Sequence, residues 1–334
     1  MKNIAIYGVG AFGYAILKHL DNKQDSTLQL IGYDHLPEVA ESLTTKRTHP
    51  FFHTTTSISE SPVFVTTPEE LLRDAAIVVL AVSSDSSRDV ARTIKAHARP
   101  GVTIVNIAKA LDKKTGKRIS EVIAEELASF DYRYAALAGG TTADDFFHHE
   151  PLGVDIASPD KATGNELKQL FTSDNLHITT TDDLLGVEYA SALKNVVSIL
   201  AGIVHGLGFS YGSETHIISV TAGSIGRVCV EQLGAQPETF SIASQSWGND
   251  MWMSCTGNTR NRAFGELLGK GKPANEALAE MRKDRKLVEG VNTLQIIDQL
   301  PALKEITAIQ LLHELIIDQT IDVTTLKNHL LKTS

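Results

Sequence analysis

A chain of 334 residues, 42% apolar and 21% charged, is long enough for about two domains and has the composition of an ordinary soluble globular protein. Forty acidic against 31 basic residues give a net charge of −9, which argues against a general nucleic-acid or anionic-membrane binder but leaves room for a local cationic pocket. Two cysteines, Cys229 and Cys255, in no disulfide or metal spacing, suggest a reducing, cytoplasmic compartment; no signal-peptide pattern is expected before "MKNIAIYG", and no membrane span, since every long apolar stretch is broken by Gly, His or a charge.

The opening segment "NIAIYGVGAFGYAILKHL" reads as strand, glycine turn and helix. The turn holds Gly8, Gly10 and Gly13, which fit G-x-G-x-x-G. Gly8 permits the tight turn, Gly10 lets the backbone approach a pyrophosphate, and Gly13 lets the helix pack on the strand. The helix start offers free N–H groups and a positive dipole end to the phosphates. A second strand, "LQLIGYD", ends in Asp34, 21 positions after Gly13. An acid about 20 residues on bonds the adenosine ribose hydroxyls and repels a 2′-phosphate, so NAD is expected in preference to NADP.

The apolar runs "AAIVVLAV" (75–82), "GVTIVNIAKAL" (101–111) and "YRYAALAGG" (132–140) read as further buried strands. Their alternation with helical segments predicts a parallel, doubly wound α/β sheet of Rossmann type over residues 1–182. Ligands bind such sheets beyond the strand C-termini, which singles out Lys109 and the stretch Gly139, Gly140, Thr141, Thr142, Ala143. Asp144, Asp145, His148, His149 and Glu150 follow in a spacing that matches no metal-ligand pattern, and no metal is expected.

From about Leu184 helical patterns dominate, predicting an all-α domain over residues 183–334. In "GVEYASALKNVVSILAGIVHGLGF" (186–209), Lys194 is embedded in an apolar run free of proline. At helical spacing Lys194, Ser198, Ala201 and His205 share one face, a narrow polar stripe that suits a functional site. The plainer alternative is a lysine that snorkels to the surface beside a core helix. "SETHIISVTAGSIGRVCVEQLG" is a second, amphipathic helix ended by Gly234. Next, "SWGNDMWMSCTGNTRNRAFGELLGKG" combines Asp250, Ser254, Thr259, Arg260, Asn261 and Arg262 around an expected loop that leads into a helix. Arg260 and Asn261 at that helix start could bind an anion; alternatively Thr259 only caps the helix and the arginines are solvated. Residues 301–334 read as short packing helices.

Taken in this order, the segments resemble the NAD(P)-dependent glycerol-3-phosphate dehydrogenases over nearly the whole chain. The "ALKN" helix, "RNRAFGELLGKG" and "KLVEGVNT" carry the likeness more specifically than "GVGAFG" does. The resemblance implies an N-terminal Rossmann domain and an all-helical C-terminal domain, a plan shared with 6-phosphogluconate-type dehydrogenases. It also implies reversible hydride transfer between sn-glycerol 3-phosphate and dihydroxyacetone phosphate. By position, Lys194 matches the general acid/base, and Lys109 a lysine contacting substrate and cofactor. Asn195 follows the catalytic lysine, as it often does in the family. Asp250 and Ser254 match polar groups lining the active site, and Thr259, Arg260 and Asn261 the residues that hold the substrate phosphate. Gly139 and Thr141 fall on the substrate side. Ala11, Phe12, Ala143, Arg260, Leu287 and Glu289 fall at the cofactor.

Several positions depart from the family pattern. Ala108 and Ala110 flank Lys109, "GGTTAD" replaces a Gly-Pro-(Ser/Thr)-Phe-Ala pattern, "SWGNDMW" stands where a Gly-rich stretch is usual, and Ala222 replaces a common arginine. These differences leave two other readings: a dehydrogenase of a different phosphorylated or acidic hydroxy compound, or a nicotinamide-binding protein that has lost catalysis. The expected partner is a small phosphorylated substrate, and an apolar helical domain makes a homodimer plausible.

Overall fold

A computed structural model describes residues 1–283 and 287–332. Of "KLVEGVNT", Lys286 therefore lies outside the described residues, as do Thr333 and Ser334 at the end of the C-terminal segment. The chain divides into two compact units, Met1–Ala108 with Ile119–Leu184, and Lys109–Arg118 with Leu185–Ser334. The short segment 109–118 thus groups with the helical half, although its neighbours on either side belong to the sheet.

The first unit is built on eight strands: β1 (Lys2–Tyr7), β2 (Leu28–Tyr33), β3 (Val63–Val65), β4 (Ile77–Leu80), β5 (Val102–Asn106), β6 (Tyr132–Ala138), β7 (Leu152–Ala157) and β8 (Leu176–Thr181). They lie in the order β3-β2-β1-β4-β5-β6-β7-β8. All neighbours run parallel except β6 and β7. Successive side chains of a strand face opposite ways, and here both faces are covered. Ile4 and Ile6 of β1 and Ile77 and Val79 of β4 enter one core; Ala5, Tyr7, Val78 and Leu80 enter the other. This two-sided burial explains why the central strands read as continuous apolar runs.

The outer strands read less clearly. In β8 only Leu176 and Ile178 are buried, between exposed or half-exposed polar residues. The connection from β6 to β7 holds only the five-residue helix Ala143–Phe147. The two strands pair antiparallel.

The second unit is helical and centred on Leu184–Gly206, in which every residue from Gly186 to Val204 is buried. By length and composition this helix could cross a membrane; its apolar stretch is wholly buried within the protein. The helix Arg260–Gly269 packs on it through a seam of glycines. A Cβ at Gly202 would stand 2.0 Å from the Arg262 carbonyl oxygen, and one at Gly265 would stand 2.1 Å from that of Ile199. Gly206 and Gly269 repeat the contact one turn on, at 2.5 and 2.3 Å from the Glu266 and Ile203 oxygens. The two backbones touch, which fixes the start of one helix relative to Lys194 on the other.

The loop expected over 246–259 is mostly helical. A π-helical turn, Gln245–Asn249, runs into the helix Asp250–Thr256. Trp247, Met251 and Cys255, four residues apart, bury one apolar stripe, while Asp250 and Ser254 form a second, polar one. Two buried stripes hold the segment as helix despite its turn-rich sequence.

Gly202→Ala forces the seam apart and is expected to cost about 1–3 kcal/mol, as overpacking does. Gly223, in the helix Tyr211–Glu231, has no described atom within 4 Å of a Cβ, so Gly223→Ala should be neutral or stabilising by up to about 1 kcal/mol. Calorimetric melting of the two variants checks the contrast.

Candidate active site

In the helical unit the polar stripe of the long helix meets the polar stripe of Asp250–Thr256. Lys194 Nζ donates to Asp250 Oδ1 at 2.9 Å and to Ser254 Oγ at 2.6 Å. Ser254 Oγ in turn donates to Asp250 Oδ1 at 3.2 Å. Lys109 Nζ donates to the other carboxylate oxygen, Oδ2, at 2.9 Å. Asp250 has no exposed surface, and the side chains of Lys194 and Lys109 are 7% and 15% exposed. One buried carboxylate is therefore shared by a buried lysine, Lys194, and a largely buried one, Lys109.

The electrostatics follow from that arrangement. Burial pushes the Lys109 ammonium below the usual lysine range; Asp250 opposes this and Lys194 adds to it. Burial also pushes the Asp250 carboxyl up, but the two lysines outweigh it and hold the group below the ordinary carboxylate range. Two lysine ammoniums held on one carboxylate suit a substrate that is anionic or develops negative charge.

A chain of amides surrounds the lysines. Asn195 Nδ2 donates to the Lys109 carbonyl at 3.3 Å and to Glu289 Oε2 at 3.5 Å. Its Oδ1 accepts from Asn261 Nδ2 at 2.9 Å, and Asn261 Oδ1 accepts from the Gly290 N–H at 3.0 Å. The last carbonyls of Asp250–Thr256 have no partner in their own helix and bond to side chains instead. Ser198 and Thr259 hydroxyls both donate to the Ser254 oxygen, at 2.6 and 2.8 Å. Arg262 Nε donates to the Cys255 oxygen at 2.7 Å, and its two terminal nitrogens donate to Glu214 at 2.7 Å and Glu266 at 2.6 Å. His205, at the end of the predicted stripe, is exposed and bonds Glu214 at 3.3 Å.

Of two plain alternatives from sequence, one does not hold and the other holds only in part, since Arg260 is exposed to solvent. Lys194 does not snorkel to the surface, because Asp250 and Ser254 hold its tip inside. Among the described residues Thr259 makes no side-chain cap on Arg260–Gly269, since its hydroxyl is turned to Ser254. The helix start, with no acid in its first turn, presents N–H groups beside the exposed Arg260. Leu287, 51% exposed, stands outside the hydrogen-bonded cluster; Glu289 is part of it.

The sheet unit carries the dinucleotide candidates. The Gly8 and Val9 N–H groups both donate to the Tyr33 carbonyl, at 2.9 and 3.2 Å, which sets Asp34 beside the glycine turn. Asp34 is buried, and its Oδ1 accepts from the Leu36 N–H at 3.0 Å. Gly8 has φ +93°, and a Cβ there would meet the Ala81 oxygen at 2.7 Å. At Gly13 a Cβ would stand 2.0 Å from the Gly8 oxygen. Gly10 differs: no described atom lies within 4 Å of its Cβ position, so its bare backbone faces open space rather than protein. The turn thus fits a pyrophosphate, with Ala11 and Phe12 opening the helix behind it. Phe12 touches Phe146 edge-on at 5.6 Å, which brings the Ala143–Phe147 helix to the turn.

Near that helix the glycine-threonine stretch has structural roles of its own. Gly139 is demanded by β7, because a Cβ would meet the Gly153 oxygen at 2.3 Å. Thr141 is buried, with its hydroxyl toward the Gly139 oxygen at 3.4 Å, and the Thr142 hydroxyl is spent in a capping box with Asp145. Sequence reasoning missed His49, whose Nδ1 accepts from the Phe51 N–H at 3.1 Å and whose Nε2 donates to the Val9 oxygen at 2.9 Å. It also missed Glu214, the partner of Arg262. Neither lies in a pattern with a spacing signal.

Residues 3–164 match the N-terminal family, and residues 183–326 the C-terminal family, of NAD-dependent glycerol-3-phosphate dehydrogenase. The glycerol-3-phosphate dehydrogenase [NAD(P)+] of Halalkalibacterium halodurans is 32% identical over 303 residues, spanning 90% of this chain and 85% of that protein. Among solved structures, glycerol-3-phosphate dehydrogenase of Coxiella burnetii superposes with a TM-score of 0.87 at 22% identity, covering 99% of both chains. That of Plasmodium falciparum gives 0.86 at 19% identity, covering 98% of this chain and 94% of its own.

Asp250→Asn removes the shared counter-charge and leaves two lysines buried, which is expected to cost about 3–5 kcal/mol in urea unfolding. The stabilisation from this depressed carboxyl is complete above its ordinary value of 3.8 and is lost as the pH falls from there toward the lower folded value. The loss over that acid window should shrink in Asp250→Asn.

Proposed function

The chain belongs to the NAD-dependent glycerol-3-phosphate dehydrogenase family, as an NAD(P)-dependent oxidoreductase acting on CH–OH groups, and we propose that it interconverts sn-glycerol 3-phosphate and dihydroxyacetone phosphate with Lys194 as general acid/base. The observation that carries the assignment is the buried triad of Lys194, Asp250 and Ser254, with Lys109 on the same carboxylate.

A nicotinamide cofactor, when held at the glycine turn of Gly8, Gly10 and Gly13, would supply the hydride in one direction and accept it in the other. As the ketone carbon is reduced, charge develops on its oxygen and Lys194 Nζ delivers the proton. In oxidation the neutral amine takes the hydroxyl proton. Asp250 and Ser254 aim the lysine and hold it in place when the proton moves. Lys109 supplies a second positive charge for the developing oxyanion or the substrate. Arg260, Asn261 and the N–H groups of their helix start receive the phosphate, which places the carbonyl for attack. Asp34 supports NAD over NADP, since its carboxylate suits ribose hydroxyls and opposes a 2′-phosphate.

A second reading, a different phosphorylated or acidic hydroxy substrate, draws on the altered "GGTTADD" and "SWGNDMW" segments, which depart from the family pattern while the charged anchors are kept. The two buried free thiols fit a reducing compartment, and the exposed Tyr211, Val220, Ile242 and Trp252 of the helical unit support a homodimer.

Lys194→Ala is expected to lower kcat for dihydroxyacetone phosphate by roughly 10²–10⁴, the usual share of general acid–base catalysis, with NADH binding by fluorescence within about twofold. Surviving turnover would remove Lys194 from the mechanism. Arg260→Ala should raise the KM for dihydroxyacetone phosphate; an unchanged KM would favour another substrate. NADH and NADPH compared side by side should show higher kcat/KM with NADH, and Asp34→Ser should narrow that gap.

A further inference from the structure

The acidic and histidine-rich stretch after β6 matches no metal-ligand spacing along the chain, but folding brings it a third partner. His53, 91 positions before Asp144, places its Nε2 at 2.6 Å from Asp144 Oδ1. His148, four residues after Asp144, puts its Nδ1 at 3.8 Å from Asp144 Oδ2. The donor atoms of His53, Asp144 and His148 all lie within 4.8 Å of one another. We propose that these three residues form a binding site for a divalent transition-metal ion of the zinc type, in the sheet unit.

The donor set selects the class of ion. Two imidazoles and one carboxylate suit zinc, nickel, cobalt or copper, whereas magnesium and calcium take oxygen ligands. Three protein donors leave one position of a tetrahedral ion for water. With metal–ligand bonds of about 2.0–2.1 Å, neighbouring donors stand roughly 3.3 Å apart. The 2.6 Å contact to Oδ1 lies below that spacing, the 3.8 Å contact to Oδ2 above it, and no donor pair exceeds 4.8 Å, so shifts of up to roughly 1.5 Å bring the three donors to it.

Aromatic packing holds the first imidazole in place. The His53 ring stacks on Phe147 with centroids 4.1 Å apart and planes 7° from parallel. The His148 ring meets His53 edge-on at 4.7 Å. Asp145 is committed to its capping box with Thr142, which leaves Asp144 as the carboxylate that faces the histidines. Asp144 and His148 side chains are 64% and 51% exposed, free to make the small adjustment and open to an ion from solvent. Binding competes with two hydrogen bonds, His53 Nε2 to Asp144 and His148 Nδ1 to the Asp144 carbonyl at 3.0 Å. The ion would tie the segment that carries His49 and His53 to the Ala143–Phe147 helix.

The test uses the full chain, dialysed against EDTA and then titrated with zinc sulfate by isothermal calorimetry. One equivalent is expected to bind, with the melting temperature raised by zinc. His148→Ala and Asp144→Asn, both at exposed side chains and checked for unchanged circular dichroism, should each weaken binding by at least about tenfold. Absence of zinc binding by the unaltered chain, or equal affinity in His148→Ala, overturns the proposal.

Discussion

The carboxylate of Asp250 is the point on which the helical unit depends. Two lysines approach it from different parts of the chain, one from the long central helix and one from the 109–118 segment. Neither could stay buried alone, because a buried ammonium without a counter-charge gives up its proton or moves to water. One carboxylate, each oxygen accepting from one of the lysines, serves both and so joins Lys109 to Lys194. The arrangement is costly to assemble and is a weak source of net stability, as buried ion pairs generally are. What it fixes is position, and catalysis by proton transfer depends on position before strength.

Backbone contact makes that position reproducible. The glycine seam presses the Arg260–Gly269 helix onto the long helix with no side chains between them. The orphan carbonyls of Asp250–Thr256 are then met by Ser198, Thr259 and Arg262, so three helices are tied at the end of the segment that carries Asp250 and Ser254. Asn195 and Asn261 extend the tie to the Lys109 backbone and to Gly290. At the far end of the 109–118 segment, Arg118 pairs with the buried Glu188 at 3.2 Å, so both ends of that segment are anchored to the long helix.

What the sequence showed, and what it hid, follows from the range of the interactions. The glycine turn, the central strands and the buried lysine all have local signatures: a fixed glycine spacing, a continuous apolar run, a charge inside one. Gly8, Gly13 and Lys194 are legible for that reason. Asp250 was noticed as a polar residue, but its setting was read as loop, because "SWGNDMW" is rich in turn formers and its helix is held by burial of Trp247, Met251 and Cys255 rather than by propensity. Gly139 also has a packing reason that nothing in the sequence announces, the antiparallel β7 beside it. His49, Glu214 and the pairing of His53 with Asp144 were invisible, since each depends on a contact between distant parts of the chain.

The same distinction bears on where the protein can differ from its relatives. Lys109, Asp250, Lys194, Ser254, Asn195 and Asn261 are coupled, each filling a hydrogen-bonding capacity of another, so replacing one leaves a buried group of its neighbour unpaired. Ala108, Ala110 and Ala222 have no side-chain polar atom to satisfy, and a change at such a position alters volume and field without breaking a bond. Such positions can therefore change while the charged centre stays as it is. On that ground the match to the family speaks more strongly for the type of reaction, oxidoreduction at a CH–OH group, than for the identity of the molecule that carries it.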